Sequence, residues 1–456
     1  MVSNYFEAAG IDALLDNHPI GADFENLARK LSRDELFARQ NHLFRRCVER
    51  AWQTGFYQRL WSRAGAEPGD IRGLADIEKL PVFDKSDLMD SIAAHPPFGD
   101  FGGFDPRDAD HEQVIFHTTS GTTGRPQPLL FGAKSREVQN LLLGRIYRLQ
   151  GIAGSDVVHS VYGHGPINGG HYVREAVLHW TNAIFLSAGT GVETPSKCQV
   201  ELMRDFGVTV IVGFADYLKR LADVAAEQGL VMGEDIRVRM ISGQMGRENR
   251  AAITDLWGGA ECYDWYGVGD TGIIAGEGPD RDGLYVMEDA HYLELLDVDT
   301  GAPVGAGRQG DMVCTCLFKD DIYPIIRFNT HDVTMERSGS SALGFNLRRI
   351  EGFLGRSDNM MKIKGINVFP QAVGPLLDGV PEFLGEFVCR VARDGGFAVV
   401  AEVSAAGPEL PGLMRELLKN KLGIAVDVEL VKRGGTASLT QVDRRQKPIR
   451  LVDERG

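Results

Sequence analysis

No C-x-x-C pair, internal repeat or low-complexity tract occurs in the 456 residues, and no apolar run approaches the roughly 18 residues a membrane helix requires. The six cysteines, Cys47, Cys198, Cys262, Cys314, Cys316 and Cys389, are scattered, and in a chain this long they read as reduced, small hydrophobes of a cytosolic protein. The nearest pair, Cys314 and Cys316, shares one face of an expected strand. Neither a second pair nor a neighbouring histidine at ligand spacing completes a metal site there. Basic residues are the minority, 49 against 63 acidic, for a formal net charge of −14. Such an excess repels a polyphosphate backbone, so nucleic acid is not an expected partner. Near the amino end Glu7 stands early and no basic segment leads into an apolar stretch. No secretory signal is visible, and a cytoplasmic protein without a membrane partner is expected.

What is present is an ordinary globular mixture, 43% apolar and 25% charged, which fits neither a disordered tail nor a collagen-like fibre. At about 150 residues per domain the length allows roughly three domains, or one large and one small. Ser32-Arg-Asp-Glu35 matches a helix capping box, and Leu36, Phe37, Leu43, Phe44, Cys47, Val48 and Trp52 recur at helical spacing behind it. Strand-like runs at 114–117, 157–162, 183–187, 208–214 and 236–242 are separated by helical stretches such as 134–150 and 216–228. That alternation predicts an α/β sheet. After about residue 280 the texture changes to strands with short turns, at 284–287, 292–297 and 310–318, which reads as an appended β subdomain over about 280–357. Beyond Asp358, paired strands at 387–392 and 397–403, a helix at 408–422 and a strand at 424–431 suggest a small α+β domain. The expected division is therefore 1–357 and 358–456.

The most informative segment is HTTSGTTGRP at 117–126, hydroxyl-bearing and glycine residues placed just after an apolar strand. Glycines let backbone N–H groups converge on an anion, and Ser and Thr hydroxyls rotate to meet phosphate oxygens. The spacing is not that of a Walker loop. Four further segments follow: SGQM at 242–245, DWYGVGDT at 264–271, IRFNTHD at 326–332 and GRSDNMMKIKG at 355–365.

Together these segments resemble the acyl-adenylate-forming superfamily, and HTTSGTTGRP, PIIRFNTHD (324–332) and GRSDNMMKIKGINVFP (355–370) are most like its phenylacetate-CoA ligase branch. The resemblance runs from about residue 70 to the carboxyl end. It implies a large α/β domain with a small mobile C-terminal one, and an enzyme that uses ATP, Mg²⁺ and coenzyme A. A carboxylate would attack the α-phosphate of ATP, pyrophosphate would leave, and a thiol would then displace AMP. Positioning and charge neutralisation do most of the work in the first step.

Carried over position by position, the resemblance makes Thr119, Ser120, Gly121, Thr122, Thr123 and Gly124 the cradle of the pyrophosphate end of ATP, with Arg125 as a nearby cation. Asp264 and Tyr266 lie against adenine, flanked by Trp265 and Gly267. Ser242, Gly243, Gln244 and Met245 form the opposite wall. Asp270 takes the place of a Mg²⁺-holding Glu. Gly269 stands where a hydroxyl residue is expected, and Thr271 is the nearest hydroxyl to replace it. Asp332 meets the two ribose hydroxyls, and Arg356 adds a ribose or phosphate contact. Asp358 is the hinge between domains, about which the small domain changes the face it presents. Lys447 serves adenylation, and Lys364 and Gly365 serve thioester formation. Gln446 departs from the expected glycine, so Arg444 or Arg445 is the rival of Lys447. For the acid, Tyr162, His164, Phe214 and Gly243 are the expected pocket, a slot for an aromatic ring.

The leading expectation is thus a ligase that joins an aryl or arylacetic acid to coenzyme A and works as a homodimer. Two alternatives accompany it: transfer of the activated acid to a carrier protein or an amine, and a nucleotide-binding homologue with impaired catalysis, suggested by Gly269 and Gln446.

Overall fold

The structure, a computed structural model, describes residues 4–108, 110–119, 126–246, 248–358, 361–363, 366–393, 395–440 and 449–455. The chain folds as two compact units. The larger comprises Met1–Gly246, Arg250–Thr330 and Thr334–Gly352; the smaller comprises Phe353–Gly456 with the short stretches Arg247–Asn249 and His331–Val333.

The larger unit opens with helices, of which Arg33–Ala51 is the longest described. Ser32 caps it, accepting from the Glu35 amide while the Glu35 side chain reaches back to the Ser32 amide, so the first orphan N–H groups are satisfied as the sequence motif requires. Phe44, Cys47 and Val48 face the core, whereas Phe37 points outward.

Strands β1 (Ile115–Thr118) and β2 (Pro128–Phe131) form a separate antiparallel ribbon. The run near 114–117 therefore does not join the central sheet. Three of its four residues are half-buried and Phe116 faces outward, whereas the central strands Val210–Val212 and Met240–Gly243 are wholly buried. Strands β3 (Val157–Ser160), β4 (Ile184–Ser187), β5 (Val210–Val212), β6 (Met240–Gly243) and β7 (Glu261–Val268) pair in parallel in the order β4-β3-β5-β6-β7. Helices such as Ala215–Glu227 cover them, burying Leu218 and Leu221 beside Ile211 and Ile241.

Antiparallel strands continue the same sheet beyond β7: β8 (Gly272–Glu277), β9 (Leu284–Val286), β10 (His291–Leu296), β11 (Gln309–Cys316), β12 (Phe328–Arg337) and β13 (Arg349–Ile350). The β-rich segment after residue 280 is thus hydrogen-bonded to the parallel strands through β7 and β8.

In the smaller unit, β14 (Gly355–Arg356) pairs with residues 332–333 of β12, and β15 (Met361–Ile363) pairs with β16 (Ile366–Val368). Strands β17 (Phe383–Val391), β18 (Phe397–Val403), β19 (Asp427–Val431) and β20 (Leu451–Asp453) form a four-stranded sheet. The helix Leu410–Leu422 packs Met414 and Leu418 into its core and ends at Gly423, whose φ of 72° makes the left-handed C-terminal cap.

Candidate active site

In parallel sheets ligands collect beyond the carboxyl ends of the strands, and three of the motif segments meet there in the larger unit. Strand β6 ends at Gly243, opposite Asp264, where β7 leaves its parallel pairing and runs on to Val268. The Asp264 carboxylate accepts the Met245 amide at 2.8 Å on one oxygen and the Gly246 amide at 3.2 Å on the other. It thereby pins the turn that follows β6. Burial pushes the Asp264 carboxyl up to about 7, against the lowering pull of Arg250, 3.6 Å away, and of the two amides. Gln244 Nε2 donates to the Gly267 carbonyl at 3.0 Å, tying the same turn to β7. Ser242 faces the core instead, its hydroxyl donating to Gln150 Oε1 at 2.7 Å. Tyr266 is buried and donates to Thr330 Oγ1 at 3.2 Å.

On the phosphate side, Thr119 and Gln127 close the base of the loop: the Thr119 amide donates to the Gln127 carbonyl at 3.0 Å and the Gln127 amide to Thr119 Oγ1 at 3.1 Å. Ser120, Gly121, Thr122, Thr123, Gly124 and Arg125 lie outside the described residues. Gln127 then reaches Asp270, Nε2 donating to Oδ1 at 2.6 Å, and the Tyr323 hydroxyl donates to the same oxygen at 3.0 Å. Burial raises the Asp270 carboxyl above the usual range. The Thr271 hydroxyl is fully buried and donates to the Gly272 carbonyl at 2.9 Å. It is spent within the turn and does not replace the hydroxyl absent at Gly269.

The expected acid-binding residues also gather here. Tyr162 packs on Phe214 with ring centroids 4.3 Å apart, and Trp265 lies at 6.4 Å, so the aromatic wall adjoins the Asp264–Tyr266 segment. The Tyr162 hydroxyl and Trp265 Nε1 are both buried without a hydrogen-bond partner among the described residues. A buried donor without a partner calls for an explanation, and a bound polar ligand is one. A Cβ on Gly243 would fall 1.9 Å from the Gly213 carbonyl oxygen, so only glycine lets the strand ends close beside Phe214. His164 Nε2 lies 2.5 Å from Ser187 Oγ, and the His164 ring is edge-on to His171, which stacks on His117 at 4.7 Å.

In the smaller unit, Arg356 Nη1 donates to Asp332 Oδ1 at 2.9 Å, while Nε and Nη2 grip the two oxygens of Asp358 at 2.8 and 2.6 Å. One guanidinium thus bridges the residue expected at ribose and the residue expected at the hinge. His331, immediately before Asp332, sits at φ 57°, the left-handed region that non-glycine residues seldom occupy. Lys364, Gly365 and Lys447, together with the rivals Arg444 and Arg445, lie outside the described residues.

The sequence reading missed Gln127, Tyr323 and Lys319. Lys319 is fully buried, its ammonium 4.8 Å from the Phe131 ring and 4.6 Å from the Tyr323 ring with no hydrogen-bond partner among the described residues. A lysine beside Phe318 in an otherwise apolar strand end was the available signal.

No family model matches the chain. A phenylacetate-coenzyme A ligase of Thermus thermophilus is 30% identical over 376 residues, covering 80% of each chain. The chain belongs to the phenylacetate-coenzyme A ligase family. A further member from Escherichia coli K12 is 28% identical over 424 residues, 88% of this chain and 92% of that one. Among solved structures, a 2-hydroxyisobutyryl-CoA ligase in its postadenylation state is 25% identical with a TM-score of 0.79, covering 96% of this chain and 91% of the other. The same ligase in the thioesterification state, with an acyl-AMP and CoA bound, superposes with a TM-score of 0.68 at 26% identity. No helix among the described residues is long and apolar enough to cross a membrane.

Proposed function

We propose that this member of the phenylacetate-coenzyme A ligase family activates an aromatic carboxylic acid with ATP and passes it to coenzyme A. The observation that carries the reading is the junction of Tyr162, Phe214 and Trp265, where the aromatic wall meets the Asp264–Tyr266 segment at the carboxyl ends of the parallel strands. Aromatic side chains beside two buried donors without a partner among the described residues suit a ring that carries a carboxylate.

Hydroxide is too poor a leaving group for a thiol to displace from a free acid. The acid oxygen therefore bonds to the α-phosphorus and pyrophosphate departs. The thiol sulfur then bonds to the carbonyl carbon and AMP departs. In this scheme the 119–124 loop holds the phosphates, and Asp264, pinned by the Met245 and Gly246 amides, shapes the adenine wall beside Tyr266. Asp332, held by Arg356, binds the ribose hydroxyls. Asp270 fits a magnesium ion: Gln127 and Tyr323 both address Oδ1, and Oδ2 takes no hydrogen bond from the described residues. Bound there, Mg²⁺ supplies positive charge that offsets the phosphoryl oxygens. Lys447 and Lys364 are assigned to adenylation and thioester formation, and Asp358 to the hinge between domains 1–357 and 358–456, on the resemblance of their motifs. A cytoplasmic location and a homodimer belong to the same reading.

Acid-dependent exchange of labelled pyrophosphate into ATP tests the first step across a panel of benzoic and phenylacetic acids, and consumption of coenzyme A tests the second. No exchange with any acid refutes the reading. Exchange without thioester formation shifts the acceptor to a carrier protein or an amine.

A further inference from the structure

Three soft ligands that no step above uses lie together at the back of the β10–β11 hairpin. His291 is the direct cross-strand partner of Cys316, and Cys314 lies two residues back on the same face. The ligand atoms of all three fall within 4.8 Å of one another, and all three residues are completely buried. From these positions we propose that His291, Cys314 and Cys316 form a structural zinc site.

The orientation of the histidine is the first support. His291 Nε2 lies 2.8 Å from the Ile273 carbonyl, and since a carbonyl only accepts, Nε2 carries the proton. Nδ1 is left as the acceptor, 3.5 Å from Cys314 Sγ, whose thiol proton a metal ion would displace. A backbone carbonyl on the far nitrogen is the usual outer-shell arrangement that fixes a metal-binding imidazole. Distance is the second support. Zinc takes thiolate sulfur at about 2.3 Å and imidazole nitrogen at about 2.0–2.1 Å, and a tetrahedral angle between such bonds separates sulfur from nitrogen by about 3.5 Å. The observed Sγ–Nδ1 separation already has that value.

Charge is the third. Two thiolates and a neutral imidazole around a divalent cation leave the buried cluster formally neutral, so no net charge is stranded in the core. The Thr271 carbonyl oxygen lies 4.0 Å from Cys316 Sγ and would be available as a fourth ligand. Thiolate and imidazole together favour zinc over magnesium or calcium, which take oxygen. Such a centre would fasten the β10–β11 hairpin to β8 directly behind Asp270 and Thr271. Sequence spacing hides it, because the histidine joins the two cysteines only through strand pairing.

The test uses the full chain, purified in metal-scrubbed buffer from cells grown with added zinc. Elemental analysis is expected to find about one zinc per chain, falling below about a tenth in Cys314→Ser, Cys316→Ser and His291→Gln. Because a core variant can misfold, a second measurement uses the wild-type chain alone. After chelator stripping, added Co²⁺ should give a thiolate-to-metal charge-transfer band, and Zn²⁺ should abolish that band and raise the melting temperature. A wild-type chain that carries no zinc and takes up neither ion overturns the proposal. So does a zinc content that the three substitutions leave unchanged.

Discussion

Tyr162→Phe separates a ligand-binding hydroxyl from a core aromatic. The ring packs on Phe214 at 4.3 Å, and phenylalanine preserves that contact. What the substitution removes is a hydroxyl that is buried without a partner among the described residues. Burial and the nearby Asp264 charge hold the phenol well above its ordinary pKa, so it stays a donor at any working pH. An unsatisfied buried hydroxyl costs about 1–3 kcal/mol, so in the free enzyme the variant should be more stable by about 1 kcal/mol. With the acid bound the sign reverses. A hydrogen bond to a charged carboxylate contributes about 1.5–3 kcal/mol, and at about 1.4 kcal/mol per factor of ten its loss lowers kcat/KM for the acid by roughly 10- to 150-fold. Pyrophosphate exchange at varied acid and at varied ATP, with urea denaturation alongside, reads both effects. The expected pattern is a stabilised enzyme with a weakened acid term and an unchanged KM for ATP. Wild-type acid kinetics, or a loss of 1 kcal/mol or more in stability, would refute the assignment.

Asp332→Ala should raise the KM for ATP by about two orders of magnitude, since two hydrogen bonds to the ribose are lost at about 1.5 kcal/mol each; unchanged ATP kinetics argue against a ribose contact. Gly243→Ala places a Cβ 1.9 Å from the Gly213 oxygen, and forcing two backbones apart should cost about 1–3 kcal/mol in denaturant unfolding and weaken acid binding. Gly269→Ser meets only the flexible end of Leu129, 2.8 Å from the added Cβ; because Thr271 does not replace the missing hydroxyl, adenylate formation should rise about tenfold, which a single-turnover assay checks. Asp289 is fully buried and gripped by Arg145 through two bonds of 2.9 Å, with His18 Nδ1 at 3.2 Å. Despite burial, the Arg145 charge and the His18 hydrogen bond hold its carboxyl well below the usual range. The folded pKa lies under the unfolded one, so this stabilisation is present above about pH 4 and is lost as the pH falls further. Arg145→Met should cost about 3–5 kcal/mol near neutral pH by stranding the carboxylate, and Asp289→Leu added to it should recover stability; melts of both from pH 3 to 7 decide.

The fold was most legible where one face of an element meets water. The alternation at 424–431 predicts β19, where residues 427–430 alternate between exposed and half-buried, and the capping box at Ser32 fixes the start of a helix, because both are local signals. Strands β7 and β8 escaped notice for the opposite reason. Five of the eight residues of β7 and all six of β8 are buried, so neither has a polar face to set a period of two. The run near 114–117 carries a strand pattern, yet nothing local says whether its partner is the central sheet or the ribbon β2.

The site divides along the same line. Motif segments, contiguous in sequence, announce Asp264, Asp332 and Arg356 without help from the fold. Gln127 and Tyr323 do not announce themselves, because each matters only through Asp270, 143 and 53 residues away respectively. Their presence also changes the meaning of the departures at 269–270. Read singly, a missing hydroxyl and a shortened carboxylate are two weaknesses in a nucleotide site. Together they are one local repacking. The small residue at 269 lets Leu129 come close, and Gln127 and Tyr323 close on the shorter carboxylate from two sides. A lone Asp in place of Glu would be free to swing, whereas this one is held by two donors on a single oxygen. Preorganisation of that kind is what electrostatic catalysis demands, and a chain drifting out of catalysis has no physical reason to retain it.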